Sequence, residues 1–235
     1  MPKPPALDRP VTRIERPTAL VALIAGGLFT ALLLGMHLAE PEFDPTWRFA
    51  SEYALGRVGI VMTLAFVALA LALLGTAVAV VRHVRTVPGY LGLGIIAIAA
   101  AGLLLAAAFP TDPITTPTDR YSFSGQMHVL GASLDYSPVG MLLAGWALTR
   151  TTSWRPLRRP LMVAAGAAFG LLFTFTAALP QDGQFGPGVY AGLMGRLLLL
   201  SYLAWTTIAC RGLLRQSVGP GPDEVRAESR RALSR

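Results

Sequence analysis

Apolar and polar positions along this chain fall into long blocks. Uncharged runs cover 17–39, 58–81, 86–111 and 160–181 and are 23, 24, 26 and 22 residues long. Each reaches the roughly 20 residues that a bilayer-spanning helix requires. Two further apolar stretches, 121–149 and 183–210, are each interrupted once near the midpoint, by Asp135 and by Arg196. The pattern predicts an all-α polytopic membrane protein, a bundle of six transmembrane helices at about 17–38, 56–81, 88–108, 127–149, 160–179 and 188–210. Residues 1–16 form an N-terminal tail, 17–212 the transmembrane domain, and 213–235 an Arg-rich tail. The first apolar run is too long for the core of a signal peptide and reads as a retained helix. Only 14% of the 235 residues are charged, little more than half the usual fraction, which argues against a water-soluble domain.

With six helices both termini lie on one side, and the basic residues then decide which side. Sixteen of the 20 Lys and Arg fall in the N-terminal tail, the turn at 82–85, the loop at 150–159 and the C-terminal tail, against three (Arg48, Arg57, Arg120) on the opposite face. The positive-inside bias places both tails in the cytoplasm and the chain in the cell membrane as a multi-pass protein. The inner face is net +11 and the outer face net −4. These basic groups flank helices, where they meet anionic headgroups. Membrane lipids are therefore the expected partners, and no nucleic acid is expected despite a pI near 10.3. The single cysteine, Cys210, permits no intrachain disulfide. No HxxxH, HExxH, paired-Cys, phosphate-loop, GxSxG or CxxCH spacing occurs, so neither a metal nor a cofactor is expected.

An ionised side chain near the bilayer centre requires a partner or water. Helices starting near Met127 and Gly188 would set Asp135 and Arg196 at equal depth, about 12 Å from the outer side. That predicts an Asp135–Arg196 ion pair, either structural or part of a ligand site. Gly188, Gly192 and Arg196 form one row on a helix face, and Gly166 and Gly170 suggest a second close helix contact. His128 lies two turns before Asp135 on the same face, and Pro138 should kink the helix between them and the inner side. His37, Glu52, Arg57, Asp112, His128 and Asp182 all fall on the outer half, where long aromatic-rich loops run from about 39 to 55 and from about 109 to 126. The expectation is a polar pocket open to the outer side. Asp112 and His128 would be its acid–base pair, with Glu52, Arg57, Asp135, Asp182 and Arg196 holding and orienting an anionic substrate. Ala-Ala-Phe-Pro-Thr-Asp at 107–112 and Ala-Ala-Leu-Pro-Gln-Asp at 177–182 end two helices alike, by duplication or by shared helix-stop chemistry.

Ser51-Glu52-Tyr53 leading into Gly56-Arg57, Phe109-Pro110-Thr111-Asp112, His128 followed by Gly131, and Gly192 to Arg196 opening into Leu-rich sequence and Trp205 together resemble domain-of-unknown-function family nine-nine-eight. The resemblance covers roughly residues 18–212. It implies a prokaryotic six-helix integral membrane protein of the inner membrane whose signature polar residues match Glu52, Arg57, Asp112, His128 and Arg196. It implies no particular reaction. Three functions fit the sequence: an enzyme acting on a lipid or isoprenoid from the outer leaflet, a non-catalytic scaffold or assembly factor, and a transporter of a small solute or protons. The last is disfavoured by cytoplasmic half-helices that look almost devoid of polar residues.

Overall fold

The computed structural model describes residues 11–181 and 183–216. Most of both predicted tails, and Asp182 with its predicted substrate-binding role, lie outside the described residues. Among the described residues seven α-helices follow one another: α1 (Glu15–Ala39), α2 (Ile60–Val80), α3 (Val87–Ala108), α4 (Phe123–Ser133), α5 (Ser137–Leu148), α6 (Arg158–Ala177) and α7 (Ala191–Leu214). No strand occurs among the described residues. Five of these helices, α1, α2, α3, α6 and α7, are long and apolar enough to cross a membrane.

Local chemistry sets the helix starts. Thr12 and Glu15 form a reciprocal cap at α1, with Thr12 N–H donating to Glu15 Oε2 at 2.7 Å and Glu15 N–H to Thr12 Oγ1 at 3.4 Å. This pulls the helix start back from the predicted residue 17. Thr86 caps α3 by accepting from Gly89 N–H, with Pro88 in the first turn. Ser122 caps α4 in the same way through Gly125 N–H.

The stretch predicted as one helix at 127–149 is two helices. Pro138 has no N–H to give the carbonyl of Leu134, so the ladder cannot continue. Tyr136 N–H instead donates to Leu134 O at 3.0 Å, and the Asp135 carboxylate accepts the N–H of Ser137 at 3.2 Å. An Asx-type turn thus leads into the restarted helix. The two halves run end to end along α3 through paired glycines. Gly131 of α4 meets Gly102, and Gly140 of α5 meets Gly92, so closely that a Cβ at any of the four would strike main chain across the interface. Small residues on facing helices permit such contact where lipid gives no hydrophobic drive to associate.

Around this pair, α2 is the central element and α6 the peripheral one, with 61% and 22% of their most apolar windows buried. α1, α3 and α7 pack on α2, while α6 bridges α5 and α7. The predicted close contact at Gly166 and Gly170 is not formed: nothing lies within 4 Å of a Cβ placed at either. Both glycines sit on a weakly covered helix whose Phe169 and Phe173 are exposed. Phe175 does pack, against Phe49 at 5.8 Å.

The connections sort to two ends. At one, Glu15 of α1 meets Arg82 and His83, His83 stacks near Trp154, and Gly212 of α7 abuts Leu157. This arginine-rich end has short turns. At the other, the connections 40–59, 109–122 and 178–190 fold against one another. We call it the loop end.

Candidate functional site

Arg196 organises the first connection at the loop end. It is 5% exposed, and its Nη1 donates to the carbonyls of Pro45 at 3.1 Å, Arg48 at 2.6 Å and Gly192 at 3.1 Å. Its Nε donates to His37 Nε2 at 3.1 Å, while His37 Nδ1 reaches Leu33 O at 2.7 Å. A carbonyl only accepts and a guanidinium only donates, so His37 is neutral with its proton on Nδ1. Tyr53 closes the group, its ring 5.3 Å from the guanidinium carbon and 5.4 Å from the His37 ring. Leu193 N–H donates to Thr46 O, and Gly192 packs on the main chain of Trp47 and Arg48. Gly192 therefore makes the predicted close approach, but to a loop; Gly188 stands before α7 at φ +96° with open space around it.

Glu52 ties the first connection to the second. Fully buried, it accepts from Arg48 Nη1 at 3.0 Å and from Ile114 N–H at 2.9 Å with Oε1, and from Phe49 N–H at 3.2 Å with Oε2. Asp112 accepts both the N–H and the hydroxyl of Ser122, at 2.7 and 2.9 Å, and rests against Gly125, which fixes the entry into α4. His128 is 6% exposed and its Nδ1 lies 3.0 Å from Ala106 O and 2.9 Å from Phe109 O. It supplies a donor to carbonyls that the end of α3 leaves without one. Among the described residues no hydrogen bond or ion pair links Asp112, His128 and Arg196 to each other. Arg196 thus stands with His37 and the first connection, Asp112 and His128 with the second, and Glu52 bonds to both connections.

The predicted Asp135–Arg196 ion pair is absent. Asp135 Oδ2 accepts from the Tyr202 hydroxyl at 2.9 Å instead. Depth explains the change: α4 starts at Phe123 rather than Met127, and α7 at Ala191 rather than Gly188. Asp135 then lies about 18 Å from the loop end, Arg196 about 8 Å and Tyr202 about 16 Å, at 1.5 Å per residue. The break at 134–136 also separates Asp135 from the face of His128, which turns to α3 while Asp135 turns to α7.

Arg57 is exposed and serves α1, donating to Ala39 O at 3.0 Å with Nε 3.8 Å from Glu40. Glu40, which sequence reasoning left as an ordinary outer acid, is fully buried and accepts Val58 N–H at 2.8 Å. That bond, then a side-chain hydrogen bond with Glu42 and the charge of Arg57, holds its carboxyl below the ordinary glutamate value against the opposing effect of burial. Asp44 is likewise lowered, by the hydroxyl and N–H of Thr46. Gly56 was the available signal for Glu40, since any Cβ there would strike its carboxylate.

The arginine-rich half is more polar than expected. Glu15 and His83 are 4% and 3% exposed. Thr76 Oγ1 and Cys210 Sγ are 3.5 Å apart, and Thr206 is buried. Among the described residues no group of three or more His, Cys, Asp or Glu could hold a metal.

A helical chain with five membrane-length apolar helices and polar groups buried among its loops is that of an integral membrane protein. The family described as Protein of unknown function (DUF998) matches residues 23–212, and the chain belongs to it. No curated protein and no solved structure matched.

Proposed function

We propose that the chain crosses the cell membrane six times, with α4 and α5 forming one broken crossing and both termini in the cytoplasm, and acts as a non-catalytic scaffold presenting its folded loop end. The +11 against −4 division of charge supports the orientation. One observation carries the scaffold reading: Glu52, Asp112, His128 and Arg196 each bond to main chain of the loops and helix ends. Side chains reserved for chemistry commonly cost stability, and replacing them leaves a protein as stable or more so.

The test is to melt the detergent-purified protein carrying His128→Gln or Asp112→Asn. A structural role predicts a loss of about 1–3 kcal/mol for each, the cost of unpairing buried polar groups. Faster amide exchange in the connection 109–122 should accompany it. Unchanged or raised stability would overturn the scaffold reading. It would favour an enzyme acting on a lipid or isoprenoid, for which one feature speaks: bonding of Nδ1 to carbonyls leaves Nε2 of His128 as the basic nitrogen, on an imidazole whose centre is 6.3 Å from that of the Phe66 ring.

A further inference from the structure

A groove of about 250 Å³ runs between α1 and α7 toward the arginine-rich end. Gly26 and Gly27 form its α1 wall together with Thr30, and Thr206, Thr207 and Arg211 line the α7 side. The volume is below that of a drug-sized ligand site and suits a single hydrocarbon chain. Leu203, Thr207 and Arg211 repeat at four-residue spacing, so the guanidinium closes one end of a channel about 12 Å long. Arg16 stands in the first turn of α1, at the same arginine-rich end of the bundle. Neither Arg16 nor Arg211 has a carboxylate partner among the described residues.

The hydroxyls point the same way. Thr18, Thr30, Thr76, Thr174 and Thr176 each donate to the carbonyl four residues back in their helices. Thr206 does not: its Oγ1 is buried with no partner, in a residue 1% exposed. A buried hydroxyl left unpaired is costly, and Thr206 is a lining residue of this groove.

We infer that this groove binds one acyl chain of an anionic phospholipid, with its phosphate held by Arg16 and Arg211 and an ester oxygen within reach of Thr206 and Thr207. Basic pockets between membrane helices recognise headgroups by this chemistry. The inference requires only that the chain resides in a bilayer, and it holds whichever side the arginine-rich end faces.

Native mass spectrometry and thermal melting of the full chain in neutral detergent test it. The probes are phosphatidylglycerol, phosphatidylcholine of identical chains, and glycerol 3-phosphate. Wild type should retain phosphatidylglycerol roughly tenfold over phosphatidylcholine and melt higher with it, while glycerol 3-phosphate has no effect. The Arg16→Gln/Arg211→Gln double variant should lose the preference. Gly27→Leu alters no charge and adds a side chain where nothing lies within 4 Å, so it fills the groove and should lose the preference as well. Equal retention of the two lipids by wild type would overturn the site. Preference surviving in Gly27→Leu would assign it to diffuse attraction by other basic residues. An equal effect of glycerol 3-phosphate would make it a free-anion site. Should Gly27→Leu melt below wild type without lipid, Thr206→Val/Thr207→Val replaces it and must reduce retention.

Discussion

The two ends of the bundle use the same residue type in opposite ways. At the loop end Arg196 is buried and bonded to three carbonyls and a histidine; at the other, Arg211 is exposed beside a groove with no carboxylate partner among the described residues. The difference lies in the backbone nearby. Long irregular connections packed against helix ends strand N–H and C=O groups away from water, and each needs a partner. Arg196, Glu52, Glu40 and His128 are those partners. The turns at the arginine-rich end are shorter, and there Glu15 meets Arg82 and His83. A charge buried at one end is thus bonded into the fold, whereas Arg211 at the other is exposed.

The sharpest way to break this contrast is Arg196→Met. Removing the guanidinium leaves the carbonyls of Pro45 and Arg48 without their donor and frees the first connection. Unfolding in detergent should show a loss of about 3–5 kcal/mol, the range for uncoupling buried charged groups. Protease cleavage within 40–59 should follow. Arg211→Met should change stability by under about 0.5 kcal/mol, as exposed substitutions do. Similar losses for both would erase the distinction between the ends.

Asp135 provides a middle case, because it too sits within the bundle but serves a helix break. A double-mutant cycle of Asp135→Asn with Tyr202→Phe should give a coupling of about 0.6–1.7 kcal/mol, the range for hydrogen bonds between membrane helices. The cycle with Arg196→Met should give none, since the two groups are at different depths. Coupling to Arg196 in place of Tyr202 would restore the ion pair that composition suggested.

That ion pair shows where sequence reading stops. Apolar run length located α1, α2, α3, α6 and α7 to within a few residues, because the cost of unsatisfied backbone in lipid forces regular helices there. Pro138 marked the break as well. Partner assignment failed because it rests on depth, and depth rests on helix starts set by Ser122 and by the loop packed on Gly192. Four residues at one start and three at the other moved Asp135 and Arg196 about 10 Å apart. Motif resemblance singled out Glu52, Arg57, Asp112, His128 and Arg196, but their bonds could not be read from it. A carboxylate that receives a loop N–H 62 residues away, as Glu52 does from Ile114, leaves no local pattern. Gly92, Gly102, Gly131 and Gly140 were visible as small residues in helices, yet only the antiparallel docking of the halves on α3 pairs them.

The smallest expected effect is a pH dependence confined to the loop end. Glu40 and Asp44 both hold their protons less tightly in the folded chain than in the unfolded one, through Val58 N–H and through Thr46. The unfolded state therefore binds protons first as pH falls. The stabilisation is complete above the ordinary carboxylate values of about 4 and is lost progressively as pH drops through the lower folded values. Amides of residues 43–59 should exchange faster as pH falls through that window, after correction for the intrinsic exchange rate. Glu40→Gln should flatten part of the response, because an amide can still accept from Val58 N–H but does not titrate. If the slope survives in Glu40→Gln and in Asp44→Asn, other carboxyls tie the loops down and the division of labour between the ends must be drawn elsewhere.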